Sequence, residues 1–266
     1  ASDATPTAGA WVGTAAYGAG RFNEGGGAAV FDGSNHITSK DIAIAANQPF
    51  TMAAWVNVAD LAASRPIIGN LSNYEFQLYI ATNGSVNFQN WYSSGGLSNY
   101  LAGTSGGVIK PGTWVHVAYV FRNGSGPQPG GRIFINGHDM TVASTQASSA
   151  SLDSFASSVT IGATLSAASK FKGSLADVRI YNRLLTDAEI NELAQDASSG
   201  LVGSSYNTGA TELISYFPID SLTGNDYGPA GLNLSNSSAS PVNGIEGGLP
   251  DSFTSARNCL RLLQAL

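Results

Sequence analysis

FKGSLADVRIYNRLLTDAEINEL, residues 171–193, decides how the chain folds. Residues 173–185 read as a buried strand, and at Leu185 the spacing changes. In LTDAEINELAQ (185–195), Thr186 stands three positions before Glu189. That is a capping box, in which each side chain takes up the other residue's free backbone N–H. Leu185, Ile190 and Leu193 then share one face of a short helix, 186–194, and are expected to lie on a sheet. No other stretch has helical spacing.

Outward from this segment, short strands bounded by Gly, Asn and Ser recur along the chain. FTMAAWVNVAD (50–60) alternates Phe50, Met52 and Ala54 against Thr51, Ala53 and Trp55. YEFQLYIATNGSVNFQNW (74–91) reads as two strands joined at Asn83-Gly84, a pair suited to a type I′ turn. GTWVHVAYVFRNG (112–124) is a long strand, GRIFINGHDM (131–140) is a hairpin turning at Asn136-Gly137, and SVTIGAT (158–164) is a further strand. The fold class is therefore all-β, a sandwich or jelly roll with one short helix.

Composition narrows the function classes. Of the 266 residues only 11% are charged, against roughly 25% in an ordinary soluble domain. The neutral surface, rich in hydroxyls and amides, points to an extracellular, cell-surface or virion setting. The net charge of −6 comes without any Lys/Arg cluster, which argues against nucleic acid. Cys259 is the single cysteine, so neither an intrachain disulfide nor a cysteine zinc site is expected. No apolar run is long enough for a membrane span. The first residues show no basic-then-apolar leader, so export, if it occurs, is expected after leader removal or through lysis or assembly.

In their order along the chain, FTMAAWVNV, GTWVHVAYVF, GRIFINGHDM and FKGSLADVRIYNRLLTDAEINEL resemble the motif series of laminin-G-like (concanavalin A-like) lectin and glucanase jelly rolls. The resemblance covers about residues 20–195. It implies a concanavalin A-like sandwich of two curved antiparallel sheets that binds glycans or proteins, without catalysis in most members. The chain departs from the pattern at its start. Before the Phe31-Asp32-Gly33 turn, members usually carry a strand that is missing here, and a similar one, LISYFPID, appears at 213–220. Residues 1–196 therefore read as the jelly roll and 197–212 as a linker. Residues 213–266 read either as a return strand completing the sandwich or as the start of a second, truncated copy. A linker of about 15 residues is long enough for the fold-back.

Three readings fit Asp32: a turn residue, a metal ligand, or a catalytic group. The resemblance implies a Ca²⁺ site shared by Asp32 and Asp177, with Asn35 as an extra oxygen ligand. Catalysis is not expected. Glycosidases flank the scissile bond with two carboxylates, and of the six glutamates only Glu75 lies mid-sheet, with no acidic residue two positions away. His116, alternating with Trp114 and Ala118, is expected to be a packed core histidine, and Trp55 and Trp114 to be core as well. The expected ligand site is NFQNWYSSGGLSNYLAG (87–103). There the rings of Trp91, Tyr92 and Tyr100 offer apolar faces to sugars, and the amides of Asn90 and Asn99 reach hydroxyls. The expected function is a non-catalytic carbohydrate-binding or adhesion module of a larger extracellular protein. The alternative is a structural component of an extracellular or virion assembly, such as a phage fibre or decoration protein. The partner is accordingly a glycan or a neighbouring protein chain.

Overall fold

The computed structural model describes residues 9–21, 27–39, 42–45, 48–70, 76–90, 100–121, 130–146, 155–157, 159–164, 169–195, 213–217 and 234–235. The first strands are β1 (Gly9–Val12), β2 (Tyr17–Gly18), β3 (Ala28–Asp32), β4 (His36–Thr38), β5 (Ile42–Ile44), β6 (Phe50–Val58) and β7 (Arg65–Asn70). Next come β8 (Phe76–Ile80), β9 (Val86–Asn90), β10 (Tyr100–Thr104), β11 (Val115–Phe121), β12 (Arg132–Ile135), β13 (His138–Asp139) and β14 (Thr141–Gln146). The last are β15 (Phe155–Ser157), β16 (Val159–Ile161), β17 (Lys172–Tyr181), the helix α1 (Asp187–Gln195), β18 (Leu213–Phe217) and β19 (Leu234–Ser235).

Two large sheets face each other. One runs β14-β10-β9-β8-β7-β16-β4-β1-β19; the other runs β13-β12-β11-β6-β17-β3-β2, with β18 also paired to β17. All pairings within them are antiparallel except β1 with β19. Between the sheets lies an apolar core. Phe50, Met52, Ala54, Val56 and Val58 of β6 point into it, as the period-two pattern requires. Phe88 of the first sheet stacks on Tyr119 of the second with centroids 3.7 Å apart. The Tyr119 hydroxyl donates to the Gly130 carbonyl at 2.9 Å, so its polar end stays satisfied when buried.

The helix forms where its cap predicts. Thr186 N donates to Glu189 Oε2 at 2.7 Å, and Glu189 N donates back to Thr186 Oγ1 at 3.2 Å. Arg183 grips the same carboxylate with two bonds of 3.0 and 2.8 Å. Leu185, Ile190 and Leu193 are buried against Ala53, Ala118, Val120, Phe134 and Tyr181, a small apolar cluster on the outer side of the second sheet. The Asn136-Gly137 turn also forms as expected, with φ of 49° and 84°. The Asn83-Gly84 hairpin differs. Ile80 pairs with Val86, so the connection has five residues, and Gly84 N closes a turn onto the Ala81 carbonyl at 2.9 Å.

The strand expected over 213–220 is present as β18, with 218–220 outside the described residues. It pairs antiparallel with the far half of β17, Val178 opposite Phe217 and Ile180 opposite Ser215. The near half of β17, Lys172 to Leu175, pairs with β3 instead.

Candidate functional site

At the Asp32 turn, one carboxylate oxygen accepts from Ser34 N (2.7 Å), Ser34 Oγ (2.7 Å) and Asn35 N (3.1 Å). These bonds, that from the Ser34 hydroxyl first, hold the Asp32 carboxyl below its ordinary range. Asn35 is buried and clamps the chain from beneath. Its Nδ2 donates to the carbonyls of Thr14 (2.8 Å) and Val30 (3.1 Å), and its Oδ1 accepts from Asp32 N (3.0 Å). The Lys170 ammonium bonds the Ser34 carbonyl on the same turn.

This geometry corrects the shared calcium site. Asp32 lies opposite Lys172 in the β3–β17 register, and Asp177 is five residues further along β17. At about 3.3 Å per residue the two carboxylates stand roughly 15 Å apart, whereas one Ca²⁺ needs all its oxygens within about 2.6 Å. The third member, Asn35, already spends its amide on backbone, and a lysine ammonium occupies the turn. The three residues do not fit one calcium ion. EDTA is therefore expected to leave the melting temperature unchanged. Asn35→Ala is expected to cost about 2–4 kcal/mol, because it strands three backbone groups. Thermal melts with and without EDTA check the first expectation, and urea unfolding of the parent and Asn35→Ala checks the second.

Asp177 belongs elsewhere. It sits in a bulge between Ala176 and Arg179 with φ of 49°, which turns it to the outer side of the second sheet. There it lies 3.9 Å from Arg21, whose guanidinium stacks 4.3 Å above Trp55. His116 meets Trp55 edge-on at 5.4 Å, and Arg179 and Leu193 complete the group. Trp55 is thus half-buried on the outer face rather than in the core, and Trp114, just before β11, is half-buried too. His116 is buried, but outside the sandwich core, because its neighbours Val115 and Val117 take the inward positions. Burial, with Arg179 and then Arg21 adding positive charge, pushes its imidazole down to about 3. The depression between these side chains is too narrow for a water molecule. Among the described residues, α1 covers the neighbouring part of this face.

The outer face of the nine-stranded sheet differs. In β8 and β9, Phe76, Leu78, Ile80, Val86 and Phe88 point inward, so Gln77, Tyr79, Asn87 and Gln89 are half-buried on the outside. Gln77 is opposite Gln89 and Tyr79 opposite Asn87, and on the next strand Leu101 and Gly103 follow in the same two rows. The signal for these amides lay in the alternation Gln-x-Tyr and Asn-x-Gln on either side of Asn83-Gly84. Of the five expected ligand residues, Asn90 is buried on the inward side with Val86 and Phe88, so its amide does not face solvent. Tyr100 is the strand partner of Asn90. Trp91, Tyr92 and Asn99 lie outside the described residues, in the connection between β9 and β10.

Domain 4 of an extracellular arabinanase from Geobacillus stearothermophilus, solved with arabinotriose, is 25% identical over 69% of this chain and 82% of its own, with a TM-score of 0.48. The CBM40 of a Ruminococcus gnavus IT-sialidase, solved with α2,3 sialyllactose, is 17% identical over 59% of this chain and 97% of its own (TM-score 0.44). A receptor-binding domain of botulinum neurotoxin mosaic serotype C/D is 11% identical over 72% of this chain and 46% of its own. Its TM-score of 0.51 reflects a shared fold. Comparison with curated proteins finds no match. A family model described as the concanavalin A-like lectin/glucanases superfamily matches residues 31–191, from the Asp32 turn to the capped helix. With its two facing antiparallel sheets and motifs in the family order, the chain belongs to the concanavalin A-like lectin/glucanases superfamily.

Proposed function

We propose that this chain is a non-catalytic carbohydrate-binding module of a larger extracellular protein, with its ligand face on the outer side of the nine-stranded sheet. One observation carries the reading: a lectin/glucanase fold whose second sheet is partly covered by a helix and ion pairs, while the first presents half-exposed amides and a tyrosine. Amide groups fork onto sugar hydroxyls, and a tyrosine ring covers the apolar side of a pyranose or furanose.

Two of the described carboxylates, Asp60 and Asp32, do not favour catalysis, and Glu75 lies outside the described residues. A glycosidase acid needs a raised pKa and a second carboxylate within about 10 Å across the sugar. Asp60 instead is held down at about 2 by Arg65 and then Lys172, and Asp32 is held low by its turn. Neither lies on the open face. A glycan array probed with the full chain, with and without EDTA, tests the proposal. Binding to at least one glycan, unaffected by chelation and without release of reducing ends, is the expected result. Hydrolysis of a bound glycan would refute it. The assembly reading is favoured by one feature, the edge strand β14, with Val142 exposed in it and Met140 exposed just before it. Self-association without glycan binding would point to that reading.

A further inference from the structure

Charge is unevenly placed on this molecule. Strands β14, β10, β9 and β8 are consecutive in the nine-stranded sheet and contain no Asp, Glu, Lys or Arg. The ion pairs Arg132–Asp187, Arg183–Glu189, Arg21–Asp177 and Lys172–Asp60 all involve the other sheet or the segments packed on it. Strand register lines up Gln77, Gln89, Leu101 and Thr145 in one row across these four strands, and Gly69 of β7, the strand that carries Arg65, extends the row to a fifth. Tyr79, Asn87, Gly103 and Ala143 form the next row. At about 4.8 Å per strand the longer row extends roughly 19 Å.

We propose that this face selects an uncharged glycan lying across the strands, with Gln77, Asn87 and Gln89 reading its hydroxyls. The inference rests on the module reading above and adds the ligand class and its direction. An acidic sugar moved onto this face would lose hydration with no cation from β8, β9, β10 or β14 to replace it, whereas a neutral one exchanges water for amide hydrogen bonds. Tyr79 and Leu101 supply flat apolar surface between the amides. Asn87 is held in place: its Nδ2 donates to Ser85 Oγ at 2.9 Å, and its Oδ1 lies over Gly103, where a Cβ would come within 2.7 Å. That restraint lowers the entropy lost on binding.

Affinity electrophoresis of the full chain tests this, through gels holding arabinan or β-glucan (uncharged) or polygalacturonate (acidic), at low and high salt. At least one uncharged polysaccharide is expected to retard the chain equally at both salt concentrations. Gln77→Ala and Gln89→Ala are each expected to weaken that retardation roughly tenfold, the loss of one or two hydrogen bonds, without lowering the melting temperature. Salt-sensitive retardation by polygalacturonate alone would overturn the ligand class while leaving the module reading intact. Retardation by an uncharged polysaccharide that both variants retain in full would place the site elsewhere and overturn the inference. Retardation by none of them would remove this inference, and an empty glycan array besides would remove the module reading with it.

Discussion

A chain ending at residue 199 is expected to lose roughly 10 °C in melting temperature and to aggregate at concentrations where the full chain stays monodisperse. The far half of β17 has β6 on one side and β18 on the other, while β3 reaches only its near half. Removing residues 200–266 therefore bares the backbone from Val178 to Tyr181 inside a sheet whose Val178 and Ile180 side chains are fully buried. Each lost backbone bond costs about 1 kcal/mol, so four paired positions amount to some 3–4 kcal/mol. The bared edge is also a template for a strand from another molecule. The β18–β17 pairing lies beyond the family match at 31–191, and the expected loss rests on the return-strand reading of 213–266. Scanning calorimetry and light scattering of the two chains decide it. A shortened chain that is soluble and melts with the parent would leave 213–266 as a separate unit.

Acidification is expected to unfold the protein in a window set by His116. Its folded value is about 3 and its unfolded value about 6.5, so between these limits the unfolded chain binds a proton that the folded chain refuses. Stability is thus complete above pH 6.5 and falls as pH drops, by about 3 kcal/mol on reaching pH 4. Burial is the main cause of the penalty, and Arg179 and then Arg21 increase it. His36, lowered by burial and then by Lys170, acts in the same direction. Asp60 and Asp32, with depressed values, lose their contribution only at lower pH. Urea midpoints from pH 7.5 to 4 for the parent and His116→Phe measure this. The variant should keep only the shallow slope of His36, and an unchanged slope would exonerate His116.

Local chemistry made much of the fold legible. The Thr186–Glu189 box needs nothing beyond four residues of helix, so its position could be read directly. Asn136-Gly137 is similar, because positive φ at two successive residues restricts the choice of side chain. Asn83-Gly84 misled because the same pair also suits a longer turn in which only Gly84 takes positive φ. Alternation along β6 correctly put Phe50, Met52 and Ala54 on the opposite side from Thr51, Ala53 and Trp55. It could not say that the second side is also covered, by α1 and by Arg21, and so it left Trp55 and His116 in the wrong layer.

By itself, the sequence determined the all-β class, the capped helix, the order of the family motifs and the dearth of charge, since these depend on periodicity, capping and composition. Only the tertiary structure decided the rest. The register of β3 on β17 parts Asp32 from Asp177, and one bulge residue turns Asp177 outward beside Arg21. Pairing across β8, β9 and β10 assembles Gln77, Asn87 and Gln89 into one uncharged face and sends Asn90 inward. The physical reason is common to all of these. Which residues become neighbours across strands is set by packing two sheets around one core, and a shift of one position moves every side chain to the opposite face.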